Sequence, residues 1–225
     1  MGIPEWIGYA YLRWFHRRST NIMANTETML AELTDHGFRN LTLWGRGVDC
    51  ERFHPLENKP LISWDGPAKP WPRPYWINVG RVSVEKNLEA FYQLKLPGTM
   101  IQVGDGPARE SLQRKYPHVR FVGAKGGDEL AHYYGLGDCF VFPSLTDTYG
   151  VVLLEALASG LPVAAMPSAG PSDIIENHVT GVVDVDLQRA AEEAIKLDPE
   201  ACRTAALAKS WSAATDEFER HLVNR

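Results

Sequence analysis

The stretch 140–165, FVFPSLTDTYGVVLLEALASGLPVAA, most constrains what this chain can fold into. Phe140, Val141 and Phe142 are aromatic and β-branched and read as a buried strand. A loop follows over 143–148. A helix is expected over 149–159, stopped by Gly160 and Pro162, and a second buried strand opens at Pro162. Two short buried strands joined by a helix make a βαβ crossover, the connection that parallel strands require. The helix is apolar almost all round, with Val151, Val152, Leu153, Leu154, Ala156, Leu157 and Ala158, so most of its faces should be buried. It nevertheless carries Glu155 near its middle. A buried ion without a partner is costly, and no basic residue is near in sequence. The partner of Glu155 is therefore either a distant part of the protein or a ligand.

The same alternation extends from residue 75 onward. Strands are expected over 75–79, 99–103, 119–122, 139–142, 162–166 and 181–183. Helices are expected over 87–94, 107–115, 128–136, 149–159, 171–176, 186–196 and 199–222. Strand–helix alternation of this length predicts an α/β fold, a doubly wound parallel sheet of Rossmann-like topology with ligands held by the loops at the carboxyl ends of the strands. Upstream, a helix over 3–18, a strand over 20–24, a helix over 27–36 ended by Gly37 and a strand over 41–44 form an incomplete α/β fragment. Between the two lies 56–74, where Pro60, Pro67, Pro70, Pro72 and Pro74 mark a linker. The expected organisation is a fragment over 1–55, a Pro-rich linker over 56–74, a ligand-binding domain over 75–198 and a terminal helix over 199–225.

Composition narrows the function. With 44% hydrophobic and 23% charged residues the chain is an ordinary globular protein, and a net charge of −5 gives no case for a general nucleic-acid binder. The 3 cysteines, Cys50, Cys139 and Cys202, are odd in number and widely spaced. They fit neither a disulfide framework nor a metal knuckle, so reduced thiols and a cytoplasmic location are expected. No two of the 7 histidines stand at metal-ligand spacing, and there is no GxSxG nucleophile elbow. No run reaches a membrane span, and no signal peptide follows Met1. The helix over 3–18 mixes Trp6, Tyr9 and Trp14 with Arg13 and Arg17. It reads either as a surface helix packing its aromatics on a neighbour or as a helix lying on a membrane surface.

The loops after the strands carry the chemistry. After the first comes Gly80-Arg81-Val82-Ser83-Val84-Glu85-Lys86-Asn87. Gly80 admits close approach to the backbone, and Arg81 and Lys86 set two cations around a helix start that already favours an anion. Phosphate suits that arrangement; the alternative is a solvated loop in which Glu85 neutralises one cation. Gly104-Asp105-Gly106-Pro107 after the second strand has Arg109 at the third glycine position of a dinucleotide fingerprint, so it reads as a tight turn with Pro107 opening a helix. Gly123-Ala124-Lys125-Gly126-Gly127 either lets a base or sugar approach its backbone or is only a turn. In the loop 144–150, Asp147 and Thr148 can cap the helix, and Gly150 lets a ligand approach the first-turn N–H groups. Asp147 and Glu155 would lie at most about 12 Å apart in a continuous helix, too far for a shared proton or a chelated metal but suited to gripping hydroxyls at two parts of one elongated ligand. The loop 167–173 either lines the cleft or merely turns.

Taken together, Gly80-Arg81…Lys86-Asn87, Gly104-Asp105-Gly106-Pro107 and Ser144-x-x-Asp147-x-Tyr149-Gly150-x4-Glu155-Ala156-x-Ala158-x-Gly160-x-Pro162-Val163 resemble the carboxyl-terminal domain of the GT-B retaining glycosyltransferases of family 4. Arg46-Gly47-Val48-Asp49…Phe53-x-Pro55 resembles that family's interdomain crossover, and the helix over 211–222 its terminal helix returning towards the amino-terminal domain. The resemblance implies a donor diphosphate held by Arg81 and Lys86, which stabilise the leaving group, a donor sugar held by Asp147, and ribose hydroxyls bound by Glu155. Backbone at Gly80, Gly123, Tyr149, Gly150 and Val151 would complete the nucleotide site. It implies no metal and no cofactor, only a GDP- or UDP-linked sugar as donor, with mannose favoured by overall likeness. The acceptor, a glycan or lipid, would be bound by an amino-terminal domain that is mostly missing, so the chain reads as truncated, and a partner chain could supply that domain; apart from the resemblance, 3–18 keeps its two readings, a packed surface helix or a peripheral membrane contact. The family's E-x7-E pattern has glutamate where this chain has Asp147, one methylene shorter. The alternative is a non-catalytic module that binds a nucleotide sugar without turnover. A GT-B epimerase or phosphorylase is disfavoured by the lack of a His-Arg-rich loop and of a pyridoxal lysine motif, and a dinucleotide oxidoreductase by Arg109.

Overall fold

The computed structural model describes residues 4–62, 70–147 and 149–222. An amino-terminal segment holds α1 (Glu5–His16), β1 (Ile22–Ala24), α2 (Glu27–Asp35) and β2 (Leu41–Leu43). The main sheet is built from β3 (Tyr75–Val79), β4 (Thr99–Val103), β5 (Arg120–Gly123), β6 (Cys139–Phe142), β7 (Val163–Ala165) and β8 (Gly181–Val183). Helices α3 (Leu88–Tyr92), α4 (Arg109–Lys115), α5 (Gly127–Leu136), α6 (Val151–Ala158), α7 (Ala169–Ile174) and α8 (Leu187–Ala194) alternate with these strands. Two further helices, α9 (Pro199–Leu207) and α10 (Trp211–His221), close the chain.

The strand order is β5-β4-β3-β6-β7-β8, and every pairing is parallel. The chain winds outward in one direction from β3 and in the other from β6, so the order reverses between these two central strands. The fold is thus the expected α/β type. Alternation along the strands feeds two cores. Tyr75, Ile77, Ile101, Phe140 and Val163 face one side with Leu153 and Leu157 of α6 and Cys202 of α9. Trp76, Met100, Cys139, Val141 and Ala164 face the other with Phe91, Leu112 and Ala191. Strands buried on both faces explain the near-continuous apolar runs.

Several helix ends differ from the sequence expectation, some for a local reason and one because a distant residue intervenes. The helix expected over 199–222 is two. Val48 inserts at the break: its N–H donates to the Lys209 carbonyl at 3.1 Å and its carbonyl accepts from Trp211 N at 3.2 Å. Ser210 then caps α10, its Oγ accepting from Ala213 N. The helix expected from Asn87 is a 3-10 turn, Val84–Lys86, followed by α3, because Asn87 adopts a left-handed conformation with φ 51°. Helix α6 starts at Val151 rather than Tyr149, since Gly150 sits at φ 79°, outside the helical region. Asp147 does not cap it, and Thr148 lies outside the described residues. Pro107 precedes α4 instead of opening it. Helix α7 begins two residues before Pro171, which falls in the first turn where its missing N–H leaves no bond unmade.

The described parts of 56–74 lie against the sheet domain. Trp71 is buried, its N–H donates to the Ile62 carbonyl, and Tyr75 Oη accepts from Ile62 N while donating to the Trp71 carbonyl. Residues 63–69 of that segment, and Ile3 of the helix expected over 3–18, lie outside the described residues. The amino-terminal segment is docked as well: β1 and β2 pair in parallel, Trp44 Nε1 donates to Ala214 O at 2.9 Å, and Thr28 bonds Asp173. Helix α1 packs Tyr9 on His36 and Phe38 and leaves Trp6, Tyr11, Trp14 and Phe15 exposed. Among the described residues no helix is long and apolar enough to cross a membrane.

Candidate functional site

A cleft of about 540 Å³ opens at the carboxyl ends of β3 and β6, where the strand order reverses. Gly80, Arg81 and Lys86 line it from the β3 side, and Asp147, Gly150 and Val151 from the β6 side. Such a switch point splays two loops apart and leaves a crevice between them. Six of the residues singled out from the sequence therefore meet in one place.

The β3 side is held open by glycines on the neighbouring loop. Gly80 N donates to Val103 O, Val82 N to Asp105 O and Ala108 N to Val82 O. A Cβ on Gly104 would lie 1.9 Å from Gly80 O, and one on Gly106 would lie 2.3 Å from Val82 O. The Gly104-Asp105-Gly106 turn is thus a bed on which the Arg81 loop rests. A Cβ on Gly80 would meet nothing within 4 Å, so the backbone there faces open space. Arg81 is exposed at the rim. Glu85 forms no direct ion pair with either cation: its carboxylate accepts from Ser83 Oγ at 2.6 Å, and that bond, helped by the nearby charges of Arg81 and Lys86, holds its pKa below the usual value. Asn87 ties the turn across the cleft, its Nδ2 donating to Pro143 O at 3.0 Å. Asparagine tolerates the left-handed conformation, so its place in Lys86-Asn87 was the one signal of this role.

Across the cleft, Lys86 Nζ and Asp147 Oδ1 form an ion pair at 2.6 Å. The loop bearing Asp147 is braced from behind. Gly170 N donates to Asp147 O at 3.2 Å, a Cβ on Gly170 would lie 2.4 Å from Tyr149 O, and Ser168 Oγ donates to Ser144 O. The loop 167–173 supports the cleft rather than lining it. Tyr149 turns its side chain away: its hydroxyl accepts from Arg46 N at 2.8 Å and donates to Arg46 O at 2.9 Å. It lines a second cavity of about 170 Å³ with Arg46, Asp173 and Lys209.

Glu155 is one turn along α6 from Val151 and Val152 but does not itself line the cleft. Its partner is a distant part of the protein. Tyr134 Oη, fully buried on α5, donates to Glu155 Oε2 at 2.8 Å. Burial raises the Glu155 pKa and the tyrosine bond counteracts part of that rise. Gly123 stands elsewhere, at the end of the edge strand β5, where its carbonyl accepts from Gly104 N and a Cβ would meet the Arg109 guanidinium at 3.3 Å. Among the described residues no group of three acidic, histidine or cysteine side chains could hold a metal ion, and all three cysteines are free thiols.

Residues 73–197 match the family model described as glycosyl transferases group 1. The GDP-mannose-dependent alpha-mannosyltransferase of Mycobacterium tuberculosis is 33% identical over 226 residues, covering 95% of this chain and 59% of that protein. Sulfoquinovosyl transferase SQD2 of Arabidopsis thaliana is 38% identical over 191 residues, covering 79% of this chain and 36% of that protein. The chain spans about half the length of the curated relatives it matches. Among solved structures, Anabaena Alr3699/HepE in complex with UDP superposes with a TM-score of 0.77 at 16% identity, over 96% of this chain and 67% of that one. Sucrose-phosphate synthase from Thermosynechococcus elongatus gives 0.76 at 22%, over 94% and 60%. These structural likenesses are of fold.

Proposed function

The chain belongs to the group 1 glycosyl transferases, and from that premise we propose that its six-stranded domain is the donor-binding portion of a retaining, metal-independent glycosyltransferase that takes a hexose from a nucleoside-diphosphate sugar. The observation that carries this reading is the meeting of Arg81, Lys86, Asp147 and the start of α6 around one cleft at the switch point. Arg81 and Lys86 would bind the diphosphate and stabilise the negative charge that grows on it as the glycosidic bond breaks. The first-turn N–H groups at Gly150 and Val151 would add to that field. Asp147 would accept hydrogen bonds from sugar hydroxyls. Glu155, held in place by Tyr134, would take the ribose hydroxyls with its remaining acceptor positions.

Mannose from GDP is the donor we favour, supported by the GDP-mannose-dependent mannosyltransferases among the relatives; UDP-sugars are the alternative. The acceptor, a glycan or lipid, would meet the donor from the side of the amino-terminal segment. The exposed aromatic face of α1, flanked by Arg13 and Arg17, suits a peripheral membrane contact in a cytoplasmic enzyme, or a partner chain carrying the rest of an amino-terminal domain. A second reading is a module that binds nucleotide sugar without turnover.

Isothermal titration of the 225-residue chain with UDP, GDP and ADP tests the site. One of the three should bind, and Lys86→Ala should weaken it about tenfold, the worth of a charge-assisted hydrogen bond. Glu155→Ala should weaken it as well. Binding that neither change affects would defeat the assignment. Sugar transfer by the same chain, assayed with GDP-mannose and UDP-glucose, separates the enzyme from the binding module.

A further inference from the structure

Lys86 and Asp147 approach the cleft from opposite loops and bind each other at 2.6 Å, with side chains only 28% and 22% exposed. The cation assigned above to the diphosphate is thus held by the anion assigned to the sugar. The wall of the same cleft also holds buried polar atoms without partners. Asp147 Oδ2, Asn78 Oδ1 and Ser144 Oγ are buried and have no hydrogen-bond partner among the described residues. Asn78 and Ser144 are 3% and 2% exposed, and both line the cleft. The Asn78 amide is oriented by its Nδ2, which donates to Val141 O at 2.8 Å, so the group left over is an acceptor. Buried acceptors without donors are costly, and removing one partner from a part-buried ion pair is costlier still.

These observations bear on which nucleotide the cleft can hold. A nucleoside diphosphate that draws Lys86 to its phosphates leaves Asp147 without a cation and brings nothing to replace it. A nucleotide sugar that draws Lys86 away brings hydroxyl donors to the same end of the cleft. Those hydroxyls can take the place of the ammonium at Asp147. Contacts to the base and ribose are common to both ligands and cancel in the comparison. We infer that the Lys86–Asp147 ion pair makes the cleft discriminate an intact nucleotide sugar from its spent nucleoside diphosphate, with Asp147 reclaiming Lys86 once the sugar has left. This inference rests on the donor-site reading given above. It gives Asp147 a role in product release as well as sugar recognition.

The test is a double-mutant cycle on the 225-residue chain, titrated with UDP, UDP-glucose, GDP and GDP-mannose. Asp147→Asn should tighten binding of the spent nucleotide about tenfold, because an uncompensated ammonium now faces the diphosphate. The nucleotide sugar should gain less, since it loses an ionised acceptor for its hydroxyls, so the ratio of the two affinities should shrink. The gain should vanish when Lys86→Ala is added. If Asp147→Asn does not fold, Asp147→Ser carries the same measurement. Spent-nucleotide affinity that is unchanged or lower in the variant overturns the inference, as does a gain that survives loss of Lys86. A parent chain that binds a nucleotide, with a variant that binds it no better, defeats this inference alone. A parent chain that binds none of the four ligands defeats the donor-site reading and this inference with it.

Discussion

Glu155 shows what a single residue can and cannot disclose. A carboxylate in an otherwise apolar helix is visible in the sequence as an anomaly that needs a donor. The donor, Tyr134, is 21 residues away on another helix, and only the packing of α5 against α6 reveals it. The same holds for Lys86 and Asp147, 61 residues apart: each stands out in its own motif, but their pairing depends on β3 and β6 being neighbours. The environment of Glu155 has a consequence for pH. Burial raises its pKa above the ordinary 4.5, so the folded state favours the protonated acid more than the unfolded chain does. That contribution is full below the unfolded pKa and is lost as the pH rises through the folded value. Glu155→Gln retains an acceptor for Tyr134 and removes the buried charge. Thermal melts should therefore show the variant more stable than the parent at pH 7, with the difference closing as the pH falls towards 4.

At the scale of elements, the strands were the most legible part. The bounds expected over 75–79, 99–103, 139–142 and 181–183 are those of β3, β4, β6 and β8, because strands buried on both faces write themselves as apolar runs between turn residues. Helix ends were less legible, because left-handed residues and tertiary contacts set them. The break in 199–222 comes where Val48 inserts its backbone between α9 and α10, with Ser210 capping the second helix. The glycines of the second loop read correctly as a turn, yet their service to the first loop was invisible without the approach of Gly104 to Gly80. Gly104 combines φ 134° with a clash at 1.9 Å, so Gly104→Ala should cost about 2–4 kcal/mol in urea unfolding, a large but attested loss for a strained, crowded backbone. Gly126, where a Cβ would meet nothing within 4 Å, is the control: Gly126→Ala should stay within about 0.5 kcal/mol of the parent.

At the scale of the whole molecule, the two parts separated by proline-rich sequence are not independent bodies. Arg203 on α9 donates to Phe53 O at 2.7 Å, Ala158 O at 2.6 Å and Cys50 O at 2.8 Å, fastening residues 50–53 to the end of α6. Proline content marks a segment that cannot join a helix or central strand, but it says nothing of whether the segment packs, which is why the docking could not be read in advance. Arg203→Met retains the aliphatic stem and strands three carbonyls, so it should cost about 2–4 kcal/mol in denaturant unfolding, from hydrogen bonds to a charged donor. The upstream segment also holds a residue that neighbours the cleft in sequence. The Tyr149 hydroxyl is bonded to both the N–H and the carbonyl of Arg46, two residues along the chain from Asp147. The region matched to the family, 73–197, contains every side chain that lines the cleft and leaves out the residue that anchors this tyrosine. The aim of the 144–150 loop is therefore inherited from upstream: a domain trimmed to the family boundaries would keep all of its tools and lose the hand that points one of them.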